Sequence, residues 1–160
     1  MLRLNDLYLQ ILIGIIEQAI TSHPLVAEAS VVGIPDALKG QLPFAFVTLS
    51  TPDHPPSAIP DQGFINSIQK RVREQIGGIA TLGGIIQGKG IIPKTRSGKT
   101  LRRVLKELIE NAVHEEFDKD IIWPATIEDV ATVETAKGKI AEYFKMKGAK
   151  HRAIDAPAKL

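Results

Sequence analysis

Apolar residues recur along this chain with two periods, and the change of period marks its elements. Ile16, Ala19 and Ile20 fall at helical spacing, and Pro24 ends that helix because a residue before proline is steered out of the α region. Ahead of them, Leu7 to Ile16 is apolar apart from Gln10 and Gly14 and reads as a buried first helix or strand. Val26 to Gly33 is rich in β-forming residues and reads as a strand closed by a turn at Ile34-Pro35-Asp36. Leu42 to Ser50 reads as a second strand, with Phe44, Phe46 and Thr48 on one face and Ala45, Val47 and Leu49 on the other. The short connection predicts an antiparallel pair. Pro52, Pro55, Pro56 and Pro60 mark a surface loop.

A helix follows, with Phe64, Ile65, Ile68, Val72 and Ile76 as its apolar stripe and Gly77-Gly78 as its stop. Leu82 to Ile92 is apolar and glycine-rich, and reads as a short edge strand. The strongest helical pattern comes next: Leu101, Val104, Leu105, Leu108, Ile109 and Ala112 recur at the spacing of one buried face. The order predicts an α+β fold, a small three-stranded sheet with helices packed on it. Past Ala112 the pattern weakens. Ile127 to Phe144 reads as a further helix with Val130, Val133, Ala136, Ile140 and Phe144 as its stripe, and residues 146–160 as a basic, mobile tail. The boundaries that follow are 1–15 for an atypical N-terminal segment, 16–112 for the folded unit and 113–160 for a helical or irregular extension.

Composition narrows the chemistry. With no cysteine there is no disulfide, thiol nucleophile or zinc–thiolate site. A net charge of +2 and 5% aromatic residues argue against a nucleic-acid partner, which would need a basic surface or stacking platforms. The Leu7–Ile16 run is far short of the ~20 apolar residues that span a bilayer, and it lacks the flanks of a signal peptide. His23, His54, His114 and His151 are not at metal-ligand spacing.

One segment stands out. Pro93-Lys94-Thr95-Arg96-Ser97-Gly98-Lys99, followed by Leu101-Arg102-Arg103, puts a lysine on a turn just ahead of an amphipathic helix, in a basic run with no acid before Glu107. Such a lysine is a mobile point charge for a carboxylate or phosphate. Ser97-Gly98-Lys99-Thr100 is not a phosphate-binding P-loop, because Pro93 stands where that pattern needs glycine.

This loop, together with Ile16-Glu17-Gln18-Ala19, His23-Pro24, Val26 to Asp36, Lys39-Gly40-Gln41, Ala45 to Leu49 and Val72 to Gly77, resembles the C-terminal lid of the adenylate-forming acyl-CoA synthetase superfamily. Acetyl- and propionyl-CoA synthetases look closest. The resemblance covers Ile16 to about Ala112. It implies a lid that supplies Lys99 to the adenylation step, with Thr95, Ser97 and Gly98 shaping the loop, and Arg73 placed to meet the nucleotide phosphate of coenzyme A. Arg102 and Arg103 are expected to stay solvated or to pair with Glu107. ATP, Mg2+ and coenzyme A are implied for the complete enzyme, and none for this chain alone. The implied partner is an N-terminal adenylation domain carrying the nucleotide and acyl pockets, which has no counterpart here. The family's Gly-His-Arg hinge motif is also replaced, by the unrelated residues 1–14.

The expected function is therefore that of a stand-alone or truncated lid, inactive alone. A non-catalytic module that docks on or regulates a separate adenylation domain is the alternative. The final Ala158-Lys159-Leu160 is a variant of the peroxisomal address and implies an import receptor; a cytoplasmic location is the alternative.

Overall fold

A central strand with opposite faces of different size organises the structure. The computed structural model describes residues 4–36, 40–78 and 81–155. The elements are α1 (Leu4–Thr21), β1 (Val26–Asp36), β2 (Gly40–Leu49), α2 (Gln62–Ile76), β3 (Gly84–Gln87), α3 (Arg102–Val113) and α4 (Ala131–Asp155). The three strands lie in the order β1-β2-β3. β1 and β2 are antiparallel, while β3 runs parallel to β2 after the α2 crossover.

The period-two alternation of β2 divides the core. Ala45 and Val47 face Ile16, Ile20, Ile68 and Val72 of α1 and α2. Phe44 and Phe46 face the other way, against Leu105 and Ile109 of α3 and Val133, Ala136 and Ile140 of α4. Both clusters contain residues with no solvent exposure, so the sheet is covered on both faces. Gly84 lets the second layer close. A Cβ there would clash with both the Phe44 ring and the Tyr143 hydroxyl.

Several expectations are corrected. Ile34-Pro35-Asp36 belongs to β1 and pairs with Leu42, Gln41 and Gly40. Proline fits because β1 is an edge strand. The Val31 N–H points away from β2, to Glu17, and Pro35, four residues on, has its missing N–H on that same outer side. The N-terminal segment is helical, since α1 runs unbroken from Leu4 through Ile16 to Thr21. α4 begins after Asp129, whose Oδ1 accepts the Ala131 N–H at 3.0 Å. Val130 is consequently 44% exposed and leaves the buried stripe, which Tyr143 joins instead. The helix continues to Asp155, into the stretch expected to be mobile. Residues 156–160, with the Ala-Lys-Leu ending, lie outside the described residues.

Candidate functional site

The lysine loop is a short antiparallel excursion between β3 and α3. Lys94 bridges to Thr100, and the Thr95 N–H donates to the Lys99 carbonyl at 2.8 Å. The Gly98 N–H donates to the Thr95 carbonyl at 2.8 Å, which closes a tight turn over 95–98. Gly98 has φ +86°, a left-handed conformation that a side chain resists. Thr95 Oγ1 lies 2.9 Å from Ser97 Oγ and accepts the Lys99 N–H at 3.1 Å. Thr95, Ser97 and Gly98 thus fix the backbone that carries Lys99.

Two outside contacts, unforeseen in the sequence, hold the base of the loop. The C-terminal extension adds a strand-like segment: Thr95 bridges to Ile127, the Arg96 N–H donates to the Thr126 carbonyl at 3.0 Å, and the Glu128 N–H donates to the Lys94 carbonyl at 2.8 Å. Ile127 anchors that segment in the core. The polar–apolar–polar alternation of Thr126-Ile127-Glu128 was the available signal. The Lys94 ammonium also pairs with Glu28 of β1 at 2.8 Å.

The basic run therefore separates into structural and free members. Lys94 is held by Glu28. Arg102 makes a two-pronged ion pair with Glu17, and its Nη2 lies 3.0 Å from Oε1. Glu107 is not its partner, because the α3 N-terminus faces α1 across the edge of β1. Burial lowers the Arg102 guanidinium from its ordinary value. Arg96, Lys99, Arg103 and Lys106 have no side-chain partner among the described residues. Lys99 is exposed, on a firm support, with no carboxylate paired to it among the described residues.

Arg73 is placed apart from this loop. It is exposed in the last turn of α2 and, with Gln69 and Thr81, lines a shallow pocket of about 130 Å³. In this arrangement Lys99 and Arg73 lie on different elements, one entering α3 and the other ending α2.

His23 serves the structure. Its Nδ1 accepts the Leu25 N–H at 3.1 Å, its Nε2 lies 3.0 Å from Ser67 Oγ, and its ring meets Phe64 edge-on. Burial, reinforced by Arg71, lowers its pKa below 6.5. Burial likewise raises the Tyr143 hydroxyl above its ordinary value. Among the described residues, no three His, Asp or Glu side chains are grouped to hold a metal ion, and no helix is long and apolar enough to cross a membrane.

Residues 15–99 match the family described as the AMP-binding enzyme C-terminal domain. An acetyl-coenzyme A synthetase of Campylobacter jejuni is 43% identical over 123 residues, which are 75% of this chain and 17% of that protein. One from Xylella fastidiosa is 38% identical over 122 residues, 76% of this chain and 18% of that protein. The chain thus spans less than a fifth of these curated relatives. Among solved structures, an acetoacetyl-CoA synthetase from Streptomyces lividans superposes with a TM-score of 0.56 at 20% identity, over 82% of this chain and 18% of that one, a likeness of fold.

Proposed function

The chain belongs to the AMP-binding enzyme C-terminal domain family, and from that premise we propose that it works as the lid of an AMP-forming short-chain acyl-CoA synthetase. The observation that carries this reading is Lys99, an exposed cation with no side-chain partner among the described residues, just past the turn of a loop whose base is fixed from two sides. Bringing a carboxylate to a nucleotide phosphate gathers negative charge, and an ammonium delivered there lowers the barrier. The side chain of Lys99 supplies that charge. The turn closed by Thr95 and Gly98 fixes where its stem starts, so that little orientation is lost when the lid closes. Arg73, on α2, would receive the nucleotide phosphate of coenzyme A, for which a planar guanidinium is suited.

Nucleotide and acyl group would be held by an adenylation domain beneath the lid, as would the Mg2+ that shields phosphate charge when bound. Alone, the chain is expected to turn over neither acetate nor propionate. The test supplies a lidless adenylation domain from an acetyl-CoA synthetase together with ATP, acetate and coenzyme A. AMP formation that requires the added chain supports a working lid. Binding without any gain in turnover supports the non-catalytic module instead.

The Ala158-Lys159-Leu160 ending further suggests a peroxisomal location and a role in fatty-acid metabolism there. A fluorescent reporter carrying residues 149–160 should gather in peroxisomes, and a diffuse signal would return the protein to the cytoplasm.

A further inference from the structure

β1 is an edge of the sheet, and only part of that edge is covered. The Val31 N–H donates to Glu17 Oε2 at 3.1 Å, and the Val31 carbonyl accepts from Arg102 Nη1 at 3.3 Å. These backbone groups therefore point away from β2. Strand alternation turns the backbone of Gly33 the same way. Beside it runs an open groove of about 600 Å³, with β1 as its floor. Leu9 and Ile13 of α1 form one wall, and Arg103 and Lys106 of α3 the other. Neither cation has a side-chain partner among the described residues. Gln41 Oε1, also in the lining, is buried without a hydrogen-bond donor among the described residues.

An unpaired strand edge, an orphan amide acceptor and a cationic wall together describe one kind of occupant. We propose that this groove docks an extended peptide segment of a partner protein, added to β1 as a further strand and built of alternating apolar and acidic residues. Strand addition satisfies the outward backbone of Gly33. Alternation follows from the two walls. Side chains of an added strand point in turn to either face of the sheet. On the Val31 face they meet α1 and should be apolar; on the Val32 face they meet Arg103 and Lys106 and should be acidic. A turn of the Gln41 side chain, whose Oε1 is shielded from solvent, would bring that acceptor to a peptide N–H. A small anion would engage the cations but leave Gly33 and Gln41 unpaired. A second copy of this chain would set one cationic wall against another. Lys99 is not in the lining of this groove and takes no part in the docking.

The test is fluorescence anisotropy with a short labelled peptide of alternating valine and glutamate, titrated with the whole chain. Saturable binding is expected. Replacing glutamate with lysine should abolish it. N-methylation of the amides that would pair with β1, or the Arg103→Glu/Lys106→Glu double variant, should weaken it about tenfold or more. Melting curves check that the variant is folded, and both of its positions border solvent. Overturning results are no saturation at about millimolar peptide, equal binding of the lysine peptide, indifference to N-methylation, indifference to the double variant, or sedimentation showing that the chain fills the groove with its own copy.

Discussion

Glu17 and Arg102, 85 residues apart in sequence, meet across the outer edge of β1 and take up both backbone groups of Val31. The pair joins α1, β1 and α3 at one point and closes the β1 edge at Val31, leaving the edge open beyond it at Gly33. Arg102 is 48% exposed, so the Coulomb part is heavily screened. The greater loss on Glu17→Ala is the Val31 N–H left without its acceptor. The variant should lose about 1–2 kcal/mol in urea unfolding, and 1 M salt should change the wild type little. The Val31 amide should exchange its hydrogen faster.

Gly98→Ala should destabilise the lysine loop, because alanine at φ +86° is strained by about 1–2 kcal/mol. Faster exchange at the amides of Gly98 and Lys99, with a melting temperature lowered by about 2–8 °C, is the expected signature.

Ile140→Ala tests whether the extension belongs to the core. Ile140 is 2% exposed and packs in the cluster that holds Phe44 and Phe46. A loss of about 2–4 kcal/mol is expected from the cavity. A loss under 1 kcal/mol would mean that α4 adds little to the fold.

His23 sets an acid limit on stability. Its Nδ1 already accepts the Leu25 N–H, so a proton added there removes a hydrogen bond. Its folded pKa is lowered from 6.5 by burial and then by Arg71. A lowered value means that the unfolded chain binds the proton more readily. The contribution is complete above pH 6.5 and is lost as pH falls through the lower folded value. His23→Gln should flatten the fall of unfolding free energy below pH 6.5 relative to the wild type, and an unchanged slope would contradict this.

The parts legible in the sequence are those where one period runs undisturbed. The α3 stripe from Leu101 to Ala112, the two faces of β2 and the glycine stop after Ile76 need only local spacing, and the folded chain keeps them. The lysine turn was equally readable, since Thr95, Ser97 and Gly98 act within a few residues of Lys99. Contacts between distant segments were not. The short alternation of Thr126-Ile127-Glu128 marks a strand-like segment but not where it docks, nothing in the spacing of Glu28 announces that it braces the loop, and nothing near Arg102 points to Glu17 rather than Glu107. Pro35 misled because its effect depends on whether the strand lies at an edge, a property of the sheet and not of the residue.

The account turns on Lys99 as the charge that enables adenylation. The most direct measurement is acetate-dependent exchange of pyrophosphate into ATP by a lidless adenylation domain supplied with this chain. The wild-type chain should restore exchange, and Lys99→Ala should lower the restored rate about a hundredfold or more while binding the domain as tightly. Exchange restored equally by both chains would contradict the account.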